Sequence, residues 1–213
     1  MVTFHNAPDH MYMHRGTTIM EFGRDQRSSS TYTFNSLGYR SNTEFDPENN
    51  AIVILGNTIS FGLGINVDET FAGILGNTLS VPVYNFAWGC YGHTNYEQLA
   101  LLQNILKVTT PCKVIFQINN LNRRRLPDGS IDRANTAEFI KSAYTTFYQQ
   151  AINVLATTPH VFLHWDNECY GFEYPNCLVY NKYHVDKSID DIETSFGPKS
   201  HKLIALKLLQ NII

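Results

Sequence analysis

The sequence predicts a three-layer α/β fold built on a doubly wound parallel sheet. From residue 51 onward, short apolar runs alternate repeatedly with longer amphipathic segments, a pattern typical of strands joined by crossover helices. The run Ala51–Leu55 is continuously apolar, as expected for a strand buried on both faces. Residues 1–50 lack this pattern, so we divide the chain into an irregular N-terminal extension, 1–50, and a main domain, 51–213.

The extension is poor in aliphatic residues, and we expect that it cannot form a core of its own. Ser28–Ser30 is typical of a loop, and Asp46–Asn50 is typical of a turn that leads into the first buried strand. The extension is expected to pack across the main domain or to reach a neighbouring subunit. Its predicted anchors are aromatic: Tyr12, Phe22, Tyr32, Phe34, Tyr39 and Phe45.

The main domain is predicted to contain four buried strands, each a short apolar run bounded by turn residues. They cover residues 51–55, 81–86, 112–118 and 161–165. A glycine-rich loop, 56–64, follows the first strand, and a longer loop, 119–132, follows the third.

Helices are predicted at 70–79, 94–107 and 135–156, with a last one starting at Pro198. Thr94 with Glu97, and Asn135 with Glu138, have the spacing of capping boxes. Pro198 follows a glycine and suits a first helical position, because its missing N–H would have no partner there.

Composition and charge argue against nucleic acid and anionic membranes as binding partners. Apolar residues make up 43% of the 213 residues and charged residues 16%, below the roughly 25% typical of soluble domains. The formal net charge of -3 offers no attraction for nucleic acid or an anionic membrane, and no apolar run approaches the ~20 residues of a membrane span. The four cysteines form no CxxC pair, which favours a reducing compartment. We therefore expect a cytoplasmic protein, or a virion protein if the chain is phage-encoded.

Candidate ligand-binding residues are those that directly follow the strands, because doubly wound sheets bind ligands at the carboxyl ends of their strands. These segments are Asn57–Ser60, Ala87–Gly92, Asn119–Asn122 and His164–Asn167.

Four sequence blocks and a lead-in occur in order along the chain, and three of the blocks include residues that directly follow a strand. They are Asn35–Arg40 (N-S-L-G-Y-R), Ile52–Gly64 (I-V-I-L-G-N-T-I-S-F-G-L-G), Tyr84–Gly92 (Y-N-F-A-W-G-C-Y-G), Phe116–Asn120 (F-Q-I-N-N) and Ser195–Ala205 (S-F-G-P-K-S-H-K-L-I-A). The blocks resemble those of the SGNH (GDSL-like) hydrolases: N-x-x-G-(Y/F)-R, G-D-S-x-T-x-G-x-G, a second block whose glycine corresponds to Gly89, G-x-N-D and H-P-G-x-x-x-H-x-x-x-A. The resemblance implies an SGNH-hydrolase/flavodoxin-like fold.

The same resemblance assigns catalytic positions to Thr58, Gly89, Asn119 and Ser195. It implies oxyanion donors at Gly89 and Asn119, but Thr58 stands in place of the nucleophilic serine and Ser195 in place of the histidine base. Acyl transfer needs a base to take the proton of the hydroxyl nucleophile. Asn57 and Asn120 also replace aspartates of the blocks. Our first hypothesis is therefore that the protein has lost ester hydrolysis and has a binding, structural or assembly role. A role within a phage virion is one form of this hypothesis.

The alternative hypothesis is an active carbohydrate- or lipid-ester hydrolase that uses Thr58 with a histidine from elsewhere. Ser60 is a second hydroxyl near the nucleophile position. The alternative bases are His93, His164, His184 and His201, although a lone histidine is more often structural. Such a hydrolase acts on an ester or acetyl group.

For a ligand at this edge, we single out Asn57, Ser60, Trp88, Asn120 and His164. Trp88, with Tyr91 and Trp165, is either an aromatic platform for a sugar or part of the core. The expected partners are a glycan or ester ligand, other proteins or further copies of the chain.

No cofactor and no metal are expected. His10 and His14 have an i, i+4 spacing near His5 and Asp9, but Gly16 and the absence of a nearby cysteine argue against a metal site. The spacing of Gly56, Gly62 and Gly64 does not follow the G-x-G-x-x-G pattern of dinucleotide-binding folds. Arg123–Arg125 could hold an anion, but three loop arginines more often form a solvated patch.

Overall fold

The computed structural model describes residues 18–22, 29–88, 94–118, 123–125, 131–133, 137–164, 176–179, 183, 185–186 and 196–212. The strands are β1 (Thr18–Phe22), β2 (Ser29–Thr33), β3 (Ile52–Leu55), β4 (Val83–Asn85), β5 (Lys113–Ile118), β6 (Arg123–Arg125), β7 (Ile131–Arg133), β8 (His160–His164) and β9 (Cys177–Val179). The helices are α1 (Thr58–Phe61), α2 (Phe71–Thr78), α3 (Asn95–Leu106), α4 (Ala137–Val154) and α5 (Pro198–Ile212), with a 3-10 turn at Val67–Glu69.

The central sheet has five parallel strands in the order β4-β3-β5-β8-β9. Numbered along the chain from β3, this order is 2-1-3-4-5, one of the two common doubly wound orders. The order reverses between β3 and β5, so the connections after these two strands leave toward opposite faces; doubly wound sheets commonly bind ligands at such a position. The predicted α/β class and doubly wound parallel sheet are confirmed.

Alternate side chains of the strands enter two separate cores, which gives the fold its three layers. Val53, Leu55 and Phe116 belong to a core that includes residues of α3 and α4. Ile54 and Ile115 belong to the opposite core, which includes residues of α2 and α5. Because both faces of β3 are covered, all four of its residues are buried, which explains its continuous apolar sequence.

Three features differ from the sequence prediction. The extension is not wholly irregular: β1 and β2 pair as an antiparallel hairpin, and Ser29 and Ser30, predicted as loop, lie in β2. The predicted loop 119–132 contains the antiparallel pair β6 and β7, where Arg123–Arg125 forms a strand. The sheet has a fifth strand, β9, whose three residues are too few to show a periodicity in the sequence.

Part of the extension lies in the core of the main domain. Tyr32, Phe34 and Tyr39 are buried in the same cluster as Val53 and Phe147 of α4. The division at residue 50 itself stays a prediction. Among the described residues, no helix is both long and apolar enough to cross a membrane.

Candidate functional site

The first predicted site residues lie in a tight strand-to-helix turn, which we call the elbow (residues 56–60). Strand β3 ends at Leu55, and α1 begins at Thr58. Gly56 between them has φ of 154°. A Cβ at this position would lie 2.6 Å from both Gln117 Cβ and Ser60 Oγ, so only glycine fits.

Gln117 of β5 holds the elbow from the neighbouring strand. Its Oε1 accepts hydrogen bonds from the backbone N–H of Ser60 at 2.9 Å, from the Ser60 hydroxyl at 2.6 Å and from the Asn57 N–H at 3.3 Å. Its Nε2 donates to Asn57 Oδ1 at 2.5 Å. Since Gln117 is 1% exposed, these bonds form in a region from which water is excluded.

Two further amide side chains complete this support. Gln98 of α3 bonds both backbone groups of Gly56: its Oε1 accepts from the N–H at 3.1 Å and its Nε2 donates to the carbonyl at 2.9 Å. Asn85 of β4 donates to the Ser60 carbonyl at 2.7 Å. Gln98, Asn85 and Gln117, which we call the amide brace, thus fix the elbow backbone with neutral groups that do not titrate.

The candidate nucleophile Thr58 is buried in this arrangement. Its Oγ1 is inaccessible to water and has no hydrogen-bond partner within the part of the chain that the structure describes. A hydroxyl becomes a nucleophile when an adjacent base accepts its proton. The described residues supply no such base to Thr58.

Among the described residues, the Ser60 hydroxyl has no base beside it either. Its side chain is fully buried, and its hydroxyl donates its proton to the Gln117 amide oxygen, which is not a base at neutral pH. This geometry favours a structural role for Ser60; a role as a displaced nucleophile or a ligand contact stays a prediction.

His164 is the last residue of β8 and is 2% exposed. Its ring lies 5.3 Å from the ring of Tyr144 of α4. Phe162 lies two residues before His164 and therefore on the same side of β8. It belongs to the core that includes residues of α3 and α4. This position favours a packing role, and the interpretation of His164 as a ligand residue stays a prediction.

His201 of α5 caps a helix. Its Nδ1 accepts the N–H of Phe71, the first residue of α2, at 3.0 Å, and its ring stacks on the Phe71 ring at 5.6 Å. Full burial, reinforced by the nearby charge of Arg40, lowers the pKa of His201 to about 3. The imidazole is therefore neutral, and its Nδ1 lone pair is already occupied. The two remaining alternative bases, His93 and His184, lie outside the described residues.

The lead-in Asn35–Arg40 delivers a guanidinium to the loop that follows α1. Asn35 Oδ1 accepts the N–H of Tyr39 at 2.9 Å, and Gly38 turns the chain with φ of 85°. The guanidinium of Arg40 then donates to the carbonyls of Phe61, Gly62 and Ile65, and lies 4.1 Å above the Tyr32 ring. Arg40 is 1% exposed, so its role is to fix this loop from inside.

Other predicted site residues have these outcomes. Trp88 is 1% exposed and lies in the core, which favours the core alternative for this residue; the sugar platform stays a prediction. Asn57 is half-buried and remains accessible. Six predicted residues lie outside the described residues and stay predictions: Gly89, Tyr91, Asn119, Asn120, Trp165 and Ser195.

The sequence reasoning missed the amide brace. A signal for it exists: Gln117 interrupts the apolar run Val114–Ile118, and a polar side chain inside a buried strand requires a partner. Gln98 gave no such signal, because its α3 neighbours are a mixture of polar and apolar residues.

No model of a protein family matches the chain, and no curated protein matches it. Among solved structures, the chain is similar to a lipolytic protein of the G-D-S-L family from Desulfitobacterium hafniense DCB-2, with a TM-score of 0.51 and 13% identity over 78% of this chain and 100% of that one. The fold is that of the SGNH hydrolases. The chain is also similar to an acetyl xylan esterase from Butyrivibrio proteoclasticus, with a TM-score of 0.53 and 12% identity over 80% of this chain and 65% of that one. A psychrotrophic esterase from Pseudoalteromonas matches with a TM-score of 0.50 and 16% identity over 77% of this chain and 97% of that one.

The elbow and Gln117 lie in two of the sequence blocks that resemble those of the SGNH hydrolases. Gly56, Asn57 and Thr58 stand where the G-D-S block begins, and Gln117 stands where the G-x-N-D block has its glycine. In this chain, the amide of Gln117 supports the elbow.

Proposed function

We propose that this SGNH-like protein has lost ester hydrolysis and serves as a binding or assembly protein. The observation that carries the proposal is the environment of Thr58: a buried hydroxyl with no described group positioned to accept its proton. Without such a base, almost no alkoxide forms at neutral pH. A role in a phage virion is one form of this proposal.

The substitutions support a site that kept its shape while losing its charges. Asn57 and Asn120 replace aspartates of the SGNH blocks with side chains of nearly equal size, and Thr58 keeps the hydroxyl of the serine. The amide brace then holds the elbow without an ionised group. Such a site retains hydrogen-bonding groups for a ligand but lacks the acid and base groups of acyl transfer.

The loops at this edge favour an uncharged ligand. Segments 56–66, 86–94 and 119–122, which follow the first three strands of the sheet, contain no Asp, Glu, Lys or Arg. Amide, hydroxyl and aromatic side chains make up about half of the residues in these segments. We therefore propose a neutral glycan or ester group as the ligand.

Hydrolysis of p-nitrophenyl acetate tests the proposal. We expect no turnover above background from the wild-type protein or from Thr58→Ala, and turnover from the double variant Thr58→Ser with Ser195→His if the rest of the machinery is intact. Turnover by the wild type that disappears in Thr58→Ala would show an active hydrolase with an unrecognised base, and the proposal would be abandoned.

A further inference from the structure

The orientation of the Asn57 amide determines which ligand groups the elbow accepts. Asn57 is the residue before α1, a position where asparagine commonly caps the helix with its side chain. Here the side chain makes no capping hydrogen bond. Its Oδ1 instead accepts a hydrogen bond from Gln117, so Asn57 does not cap the helix with its side chain.

Two backbone groups fix the orientation of Gln117. The N–H groups of Asn57 and Ser60 can only donate, so the Gln117 atom that faces them at 3.3 and 2.9 Å must be the oxygen. The other branch of the same amide, which faces Asn57 at 2.5 Å, must then be the NH2 group.

The orientation of Asn57 follows in turn. The NH2 group of Gln117 can only donate, so the Asn57 atom that receives it must be Oδ1. The Asn57 NH2 group is therefore the free end of the amide. It has no acceptor within the described part of the chain, and the residue is half-buried at the carboxyl end of β3.

We infer that Asn57 is a specificity-determining residue that Gln117 fixes as a hydrogen-bond donor. The inference rests on the proposed binding function. An aspartate at this position, as in the SGNH block, could only accept hydrogen bonds when ionised, so the substitution reverses the polarity of the site. The elbow should then accept a neutral carbonyl oxygen, such as that of an acetamido or ester group, and reject an ammonium group.

Two sugars that differ at one group test the inference: N-acetylglucosamine, which carries a carbonyl acceptor, and glucosamine, which carries an ammonium donor. Binding is followed in 15N NMR spectra, where the Asn57 side-chain NH2 signal is assigned by its loss in Asn57→Asp. We expect N-acetylglucosamine to shift this signal and glucosamine to leave it unchanged. Absence of a shift with N-acetylglucosamine overturns the inference.

A substitution of Gln117 tests whether the orientation of the Asn57 amide, and not only its presence, determines binding. In Gln117→Glu, the carboxylate still accepts from the backbone N–H groups but cannot donate, so Asn57 must turn its NH2 toward residue 117 and present Oδ1 to the ligand. We expect both Gln117→Glu and Asn57→Asp to bind N-acetylglucosamine at least tenfold more weakly, and Gln117→Glu to gain affinity for glucosamine. A melting temperature shows whether each variant is folded.

Asn153→Asp is the matched control, because Asn153 also accepts a glutamine amide, from Gln149 at 3.0 Å, but on the exposed surface of α4. We expect this variant to bind like the wild type. If the wild type binds N-acetylglucosamine and the two elbow variants bind it equally well, the inference fails while the binding function stands. Turnover in the ester assay would instead remove the proposed function.

Discussion

At the residue scale, the site depends on buried amides whose partners are backbone groups. Gln117 alone satisfies three donors of the elbow: two backbone N–H groups and the Ser60 hydroxyl. A buried donor that loses its acceptor costs about 1–3 kcal/mol, more than the hydrogen bond itself contributes. A side chain of similar size without polar atoms should therefore be poorly tolerated at this position.

We expect Gln117→Leu to lower the free energy of unfolding by about 3 kcal/mol, because it leaves these buried donors without an acceptor. Urea titration followed by circular dichroism measures the change. Gln149→Leu, at an exposed position of α4, is the control and should change the free energy of unfolding by less than about 0.5 kcal/mol. Equal effects of the two substitutions would contradict the importance of the amide brace.

His201 should remain neutral far below the ordinary pKa of histidine. Burial lowers its pKa to about 3, and its Nδ1 accepts the Phe71 N–H, which places the proton on Nε2. We expect the 15N NMR signals of this ring to show the Nε2–H tautomer with no titration between pH 7 and about pH 4. A titration midpoint near 6.5 would contradict this account.

The same pKa shift has a consequence for stability. The unfolded chain binds a proton at this histidine below a pKa of about 6.5, whereas the folded chain does so only near pH 3. Because the unfolded state then carries more protons, acidification through this window lowers the free energy of unfolding.

At the element scale, the start of α5 is held by a carboxylate that lies outside the helix. Asp186 accepts the backbone N–H of Lys199 at 2.9 Å and that of Ser200 at 2.7 Å, and the Ser200 hydroxyl donates to it at 2.5 Å. Burial raises the pKa of Asp186, but the hydrogen bonds from Ser200 and Lys199 outweigh it, so the pKa lies below its ordinary value. The negative charge also lies at the positive end of the helix dipole.

Asp186→Asn should therefore be less stable than the wild type, by about 1 kcal/mol at neutral pH, because the amide has one acceptor oxygen where the carboxylate uses two and lacks the negative charge. A carboxylate with a lowered pKa stabilises the fold fully above its unfolded-state pKa of about 3.9 and loses this effect as the pH falls through its folded-state pKa. We expect the difference between the two proteins to be constant from pH 7 to about 5 and to shrink below about pH 4. Urea titrations across this range measure it, and a constant difference down to pH 3 would contradict the prediction.

Most elements of the SGNH-like fold could be predicted because their signals are local. The apolar run of β3 and the capping box of α3, with Thr94 Oγ1 accepting the Glu97 N–H at 3.3 Å, are both visible in the sequence. Strand β9 was missed because its pairing with β8 comes from the sheet rather than from its own three residues. The elbow position could be predicted. Gln117 gave a local signal for the amide brace, but the brace as a whole could not be predicted because it joins side chains from three elements.

At the scale of the whole molecule, the segment before β3 is part of the core rather than an attachment to it. Tyr32, Phe34 and Tyr39 share a cluster with residues of β3, β5 and α4, and Arg40 fixes the loop after α1. This arrangement predicts that residues 30–41 unfold together with the sheet. A sequence with so few aliphatic residues gave no periodic signal for this integration.

Hydrogen exchange tests this cooperativity. The N–H groups of Asn35, Gly38 and Ser41 are bonded within the segment at 2.9, 2.9 and 3.0 Å. We expect them to exchange with the same free energy of opening as the N–H groups of β3 and β5, through global unfolding. Exchange at a clearly lower free energy would show that the segment opens on its own.

The amide brace also sets an order of events during synthesis of the chain. Asn57 and Gln117 are 60 residues apart, and Phe71 and His201 are 130 residues apart. At about 5–20 residues per second, the ribosome releases the elbow roughly 3–12 s before its partner on β5 exists. Throughout that interval the apolar strand Ile52–Leu55 has no β5 beside it and is a ready target for chaperones or for aggregation. The elbow is thus among the first parts of the domain to be made, but it is completed only after β5 has been made.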